Sequence, residues 1–161
     1  MTATKSVVPD GAKAAPKDAI TLLRADHEDV NRMFAAYAHT HTGPAKKALV
    51  AEICKALTVH AQIEEEIFYP EVQTALKDKL LVPDAAVEHA GVKVLIAQLE
   101  SAEPDGKTYD AQVQVLSEQV RRHVKEEQNE IFPQARSWSL DMMDLGTRMS
   151  ARKEDLLDQA A

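Results

Sequence analysis

A single cysteine, Cys54, stands in a chain of 161 residues. One thiol excludes an internal disulfide framework and any cysteine-based zinc site. Aromatic residues reach only 4% and glycines number 5, against abundant Ala, Leu, Lys, Glu and Gln. That scarcity of sheet-forming and turn-forming residues favours helix over strand. No apolar run approaches the roughly 20 residues that span a bilayer. Positive charge is also in short supply. Lys and Arg total 19 against 26 Asp and Glu, a formal net charge of −7. Such a surface argues against nucleic acid or an anionic membrane as the main partner. The first residues hold Lys5, Lys13 and Lys17 without an apolar stretch after them. No secretory signal is therefore expected, and a reducing cytoplasm is the expected location.

Hydrophobic residues make up 45% of the chain and charged residues 28%. These are the proportions of a soluble domain with a real core. Residues 1–17, interrupted by Pro9, Gly11 and Pro16, read as a disordered arm. From Asp18, a plausible N-cap, Ile20, Leu23, His27, Val30, Phe34 and Tyr37 recur at helical steps to about His39. Pro44 suits a first turn, and Leu49, Ile53, Leu57, His60, Ile63, Glu64 and Ile67 form a second stripe. Pro70 is expected to end or kink that helix, with Glu71 to Leu76 continuing at an angle. Asp84 reads as the cap of a third helix with Ala86, His89, Val92, Ile96 and Leu99 on one face. After the turn Pro104-Asp105-Gly106, a fourth carries Val113, Leu116, Val120, His123, Glu127 and Ile131 up to Pro133. A shorter fifth is expected over Leu140 to Leu157, patterned on Met143, Met149 and Leu156. The fold class is all-α: an up-down-up-down four-helix bundle over residues 18–135, with a C-terminal helical segment over 136–161. That segment is expected to cap the bundle, cover the site or dock a partner.

The chain repeats itself. His60-Ala-Gln-Ile-Glu64 precedes Phe68-Tyr69-Pro70, and His123-Val-Lys-Glu-Glu127 precedes Ile131-Phe132-Pro133. A lone histidine stands before each pair: Asp26-His27 with Val30, then Glu88-His89 with Val92. The intervals from lone histidine to paired histidine are 33 and 34 residues. Two helical hairpins related by a pseudo-twofold account for this. At about 1.5 Å per residue, antiparallel packing brings each lone histidine level with its His–Glu pair.

Residues four apart share a helix face, so Glu64 lies a turn from His60, and Glu127 a turn from His123. Either pair alone is weak evidence, since solvated helix faces produce such spacings. Two carboxylates and four imidazoles turned inward, however, require a compensating charge. Lys93 is the exception in stripes otherwise poor in Lys and Arg, so a metal centre supplies that charge. Imidazole and carboxylate without thiolate suit Fe, Mn or Zn. Six ligands exceed one four-coordinate zinc but suit two metals bridged by Glu64 and Glu127. The Glu-x-x-His pairs of ferritin-like carboxylate sites are absent: Arg24, Leu57, Ala86 and Val120 stand three before the histidines.

The order His27, His60-x-x-x-Glu64, His89, His123-x-x-x-Glu127 resembles the hemerythrin-like, or HHE cation-binding, domain over about residues 18–135. The resemblance implies a four-helix bundle holding two irons per chain, oxo- or hydroxo-bridged, with Mn or Zn ranked behind iron. His27, His60, His89 and His123 would be terminal ligands, with Glu64 and Glu127 bridging. It further implies a protein that binds, senses or reacts with dioxygen, nitric oxide or peroxide, or that handles iron. The alternatives are a di-iron enzyme that decomposes peroxide or reduces nitric oxide, and a metal-free helical interaction module. Animal oxygen carriers of this family have a fifth histidine where this chain has Lys93, and Asn31 stands at the equivalent position after His27. One iron is then expected to keep an open position or to borrow Tyr37 or water. That departure weakens an oxygen-carrier reading. Lys93 is expected to extend outward, or to place its charge near a bound anion. His39, His41, Glu65, Glu66, Glu126 and Glu130 are expected in solvent. Cys54 is expected to pack, and Phe34, Phe68 and Phe132 to belong to the core.

Overall fold

The computed structural model describes Ala15 and residues 17–160. The expected N-terminal arm therefore lies almost wholly outside the described residues. Helix α1 (Ala19–Tyr37) opens on Asp18, whose carboxylate accepts from the Thr21 N–H at 2.8 Å. Helix α2 (Gly43–Ile63) is capped by the Thr42 hydroxyl and has Pro44 in its first turn. Next come α3 (Tyr69–Val72), α4 (Leu81–Glu100), α5 (Lys107–Glu126), α6 (Phe132–Arg136) and α7 (Met142–Gln159). The described residues include no strand. The long helices α1, α2, α4 and α5 form the expected up-down-up-down bundle. Hairpin partners pack α1 on α2 and α4 on α5, and α2 meets α4 between the hairpins.

Neither proline ends its helix. A π-helical turn over Glu64–Phe68 joins α2 to α3, and a second over Glu127–Ile131 joins α5 to α6. The Tyr69 N–H donates to the Glu64 carbonyl, and the Phe132 N–H to the Glu127 carbonyl. A proline lacks the donor that an α-helical ladder needs and crowds the carbonyl one turn back. The wider turn absorbs both defects and leaves Pro70 and Pro133 in the first turns of α3 and α6. One added residue also rotates the succeeding helical turn by about 100°. That rotation decides where Tyr69 and Phe132 point.

Other boundaries differ from expectation. Helix α4 starts at Leu81, so Asp84 lies inside its first turn rather than at the cap. Pro83 is tolerated there because first-turn N–H groups have no intrahelical acceptor. Ala85, not Ala86, faces inward, and α3 stops at Val72. In α7 the buried residues are Leu145, Gly146, Met149 and Leu156, while Met143 is exposed.

The core forms two clusters. One gathers Val30, Ile53, Leu57, Val92, Ile96 and Leu116 toward the α1–α2 and α4–α5 connections. The other gathers Ile20, Leu23, Phe68, Phe132, Leu145 and Met149, so α7 shares the core of α1. Cys54 is buried among the first group, and burial pushes its thiol up to about 11. Phe34 is only partly buried.

Docking of α7 depends on Gly146. A Cβ there would lie 2.0 Å from the Lys17 carbonyl oxygen and 2.8 Å from the Asp18 carbonyl carbon. Backbone at that distance cannot yield by a rotamer change. Gly146→Ala is therefore expected to destabilise the protein by about 1–3 kcal/mol, the usual cost of overpacking. Thermal unfolding should show a Tm lowered by several degrees; an unchanged Tm would mean that α7 does not sit against the start of α1.

Candidate metal centre

Between the two apolar clusters lies a buried polar layer. His27 comes from α1, His60 from α2, His89 from α4 and His123 from α5. Glu64 and Glu127 open the two π-helical turns. The histidines are all under 9% exposed and both glutamates are at 0%. All six expected ligands thus come together. They sort into two groups, His27–His60–Glu127 and Glu64–His89–His123, each with ligand atoms within 4.8 Å of one another. Each group draws its carboxylate from the hairpin opposite its histidines.

Both carboxylates also touch the other group. Glu64 Oε1 is 3.4 Å from His89 Nε2 and 3.0 Å from His60 Nε2. Glu127 presents Oε1 to His27 Nε2 at 3.1 Å and Oε2 to His123 Nε2 at 3.5 Å. This disposition lets each carboxylate bridge two cations.

The inward atoms lack hydrogen bonds despite these approaches. His27 Nε2, His60 Nε2, both Glu64 oxygens and Glu127 Oε1 are buried and unpartnered. Their imidazole–carboxylate approaches run from 3.0 to 3.4 Å without the alignment a hydrogen bond needs. His89 Nε2 and His123 Nε2 face each other at 3.1 Å, a contact that is attractive only if one carries a proton. Orphaned lone pairs aimed at common points are what metal ions satisfy. The residues fit a two-cation centre.

A set of outward hydrogen bonds, which sequence reasoning missed, orients the imidazoles. Asp26 Oδ2 holds His60 Nδ1 at 2.9 Å, and Glu88 Oε1 holds His123 Nδ1 at 3.3 Å. Glu65 Oε1 holds His89 Nδ1 at 3.1 Å, and the Gln128 amide lies 3.2 Å from His27 Nδ1. An Nδ1–H on His27 needs the amide oxygen there, the flipped orientation of that side chain. Anchoring Nδ1 fixes the tautomer that presents a bare Nε2 to a metal. Cations back the three carboxylates: Lys153 on Asp26, Lys93 on Glu65 at 2.8 Å, and Arg122 on Glu88 at 3.7 Å.

These contacts correct several expectations. Glu65 is a half-buried anchor rather than a solvated residue, and Lys93 reaches outward onto it. Glu126 is half-buried; burial and then the adjacent Glu88 carboxylate raise its pKa. Glu66 and Glu130 are exposed as expected, with Glu66 paired to Arg152 of α7. His39 and His41 are also exposed. Tyr37 is no ligand, because its hydroxyl donates to Asp110 at 2.6 Å near the end of α1. The tyrosine at the centre is Tyr69, donating to Glu127 Oε2 at 2.6 Å with His123 Nε2 at 3.3 Å. Its counterpart in the repeat, Phe132, stacks on His27 at 6.0 Å instead. The signal for the anchors was present in the repeat: a carboxylate precedes each lone histidine, and Glu or Gln follows each bridging glutamate. No sequence feature announced Lys153.

The fold and centre define an all-helical, cation-binding bundle protein with a duplicated histidine–glutamate site. The chain belongs to the hemerythrin HHE cation-binding domain family, which matches residues 18–135. Among solved structures it is similar to a hemerythrin HHE cation-binding domain-containing protein of Mycobacterium kansasii. That likeness has a TM-score of 0.77 and 22% identity, and covers 89% of this chain and 90% of the other. A curated relative, a DNA nickase of Nostoc sp., is 26% identical over 135 residues, or 84% of this chain. The chain spans 38% of that protein's length. No helix among the described residues is long and apolar enough to cross a membrane.

Without metal, protons take over the balance of charge. Burial opposes a charged His60, but Glu64 and Asp26 outweigh it and raise its pKa to about 10. Burial likewise opposes a charged His123, while Glu127 and Glu64 raise it to about 11. Burial opposes a charged Glu64 as well, yet His60 and its other neighbours hold its carboxyl well below the usual range. Both imidazoles lie above the ordinary 6.5, so their contribution to stability is complete below that pH and is lost as pH rises through 10–11. The Tm of metal-free protein should therefore fall between pH 7 and pH 11, by a margin absent from metal-loaded protein. Metal uptake at pH 7 should release about two protons per chain, read by calorimetry in buffers of different ionisation enthalpy. Release near zero would place the protons elsewhere.

The anchors have their own test. Asp26→Ala, Glu65→Ala and Glu88→Ala should each weaken metal binding about 10–100-fold, whereas exposed Glu130→Ala should not. Chelator competition measures this, and equal affinities across the set would remove Glu65 from the centre.

Proposed function

We propose that this chain is a cytoplasmic non-heme di-iron protein that binds or senses dioxygen, nitric oxide or peroxide. His27, His60 and Glu127 would hold one iron, and Glu64, His89 and His123 the other. The observation that carries the reading is a cavity of about 40 Å³ against all four imidazoles. Each ordered water needs roughly 10–15 Å³ on this measure, so the space suits a diatomic or peroxide and little more. Its apolar walls include Val30, Leu57, Val92, Ile96, Val120 and Val124. Such walls exclude bulk water and strengthen any electrostatic contact with a bound ligand. Bound iron supplies a Lewis acid and a one-electron donor. The anchored imidazoles hold their Nε2 atoms inward, and Glu64 and Glu127 balance the cation charge. Iron handling uses the same ligands.

One observation favours an enzyme as the second reading. Tyr69 places a phenolic oxygen 2.6 Å from Glu127 Oε2, donating its proton to it, and the other half of the repeat has no hydroxyl there. Burial and then the Glu127 and Glu64 carboxylates hold that phenol well above its ordinary pKa, so it keeps its proton for donation. Peroxide decomposition or nitric oxide reduction would use such a donor. The formal charge of −7 opposes a phosphodiester backbone. That separates the proposed ligands from the nicking activity named for the Nostoc protein.

Anaerobic reconstitution should give about two irons per chain with near-ultraviolet oxo-to-iron absorption. His60→Ala and His123→Ala should each lower iron content and remove that absorption; unchanged spectra in both would refute the ligand set. Peroxide consumption far beyond iron stoichiometry, reduced by Tyr69→Phe, would move the assignment to the enzyme. A chain that takes up no metal would be a helical interaction module.

A further inference from the structure

The cavity over the centre needs an entrance, and the bundle offers two sides on which to look for one. On the α2–α4 side the lining includes Thr58 and Lys93. That side is strapped: Lys93 of α4 bonds both Glu65 oxygens, at 2.8 and 2.9 Å, and Glu65 in turn holds His89. A ligand passing there would have to break the bonds that orient an imidazole.

Between α1 and α5 the arrangement differs. A second cavity, of about 180 Å³, lies between these helices and shares His27, Val30, Val120 and Val124 with the first. Asn31, Ser117 and Arg121 line it without lining the inner chamber. Tyr37 of α1 donates to Asp110 of α5 nearer the helix connections, but among the described residues no ion pair between α1 and α5 crosses the cleft itself. At its inner end His27 is steadied by the neutral Gln128 amide rather than by a carboxylate backed by a cation. The residues that line both cavities are His27 and three valines. Val120 and Val124 are only half-buried, and short rotamer changes of such groups occur in picoseconds to nanoseconds.

We propose that ligands of diatomic or peroxide size reach the centre through the α1–α5 cleft, with Val30, Val120 and Val124 as the gate. The route rests on the di-iron reading and adds a barrier that sets rates and an upper size for the ligand. Asn31, one turn beyond His27, thereby has a place at the outer wall.

Stopped-flow azide binding to the iron-loaded full chain tests the route. Asn31→Trp and Ser117→Phe plug the outer cleft without touching the chamber. Each should lower the association and dissociation rates together, by about tenfold, with azide affinity and iron content unchanged. Equal slowing in both directions marks a barrier, because a route contributes nothing to equilibrium affinity. Val124→Ala should accelerate both rates. Unchanged rates in Asn31→Trp and Ser117→Phe would overturn the route while leaving the di-iron reading intact. A parent protein with two irons that takes up no azide would overturn the route and the open position together, whereas absent iron would defeat the di-iron reading first.

Discussion

Two carboxylates with no exposure to water, inside a helical bundle, impose the constraint on which the rest of the molecule depends. An ionised carboxylate in such a place costs several kcal/mol unless an opposite charge meets it. Glu64 and Glu127 meet imidazole edges and one phenol, with no Lys or Arg paired to either among the described residues. The layer is consistent with the rest of the fold only when cations, or protons in their place, occupy it. The division of the core into two apolar clusters has the same cause, because no side chain crossing that layer can be purely hydrophobic.

The pseudo-twofold extends beyond the ligands. In each hairpin the residue before the lone histidine anchors the paired histidine of the same hairpin: Asp26 on His60, and Glu88 on His123. The residue after each buried glutamate anchors the lone histidine of the opposite hairpin: Glu65 on His89, and Gln128 on His27. Such reciprocity ties the hairpins together through the site as well as through apolar packing. The π-helical turns belong to the same design. They begin at the two buried glutamates and bring Tyr69 and Phe132 against the imidazoles.

The symmetry breaks at a few positions, and these give the two halves different properties. Tyr69 faces Phe132 as its counterpart, so only one bridging carboxylate accepts from a hydroxyl. Gln128 replaces a carboxylate, so His27 has the least basic support of the four. Helix α7, seated against the start of α1 at Gly146, adds Lys153 to the Asp26–His60 pair. The C-terminal helix therefore belongs to the site's outer shell as well as to the core.

The helical class, the hairpin repeat and the six side chains that meet in the buried layer were legible in the sequence. Spacing along a helix is a local property, and repeated spacing survives without knowledge of packing. The anchors were half legible: Asp26 and Glu88 recur in register, but which imidazole each would hold depends on the crossing of helices. Glu65 read as a solvent residue because one position of offset on an isolated helix turns a side chain by about 100°, whereas the π-helical turn and the facing α4 bring it back to His89. Tyr37 and Tyr69 could not be ranked until the wide turn before Pro70 was known. The chemistry of the ligands and their common height in the bundle come from the amino-acid order alone, since both depend only on residue type and rise per residue. Which partner steadies each imidazole, where α7 lies and which side of the bundle is open emerge only once the helices are packed, because those depend on contacts between segments far apart in the chain.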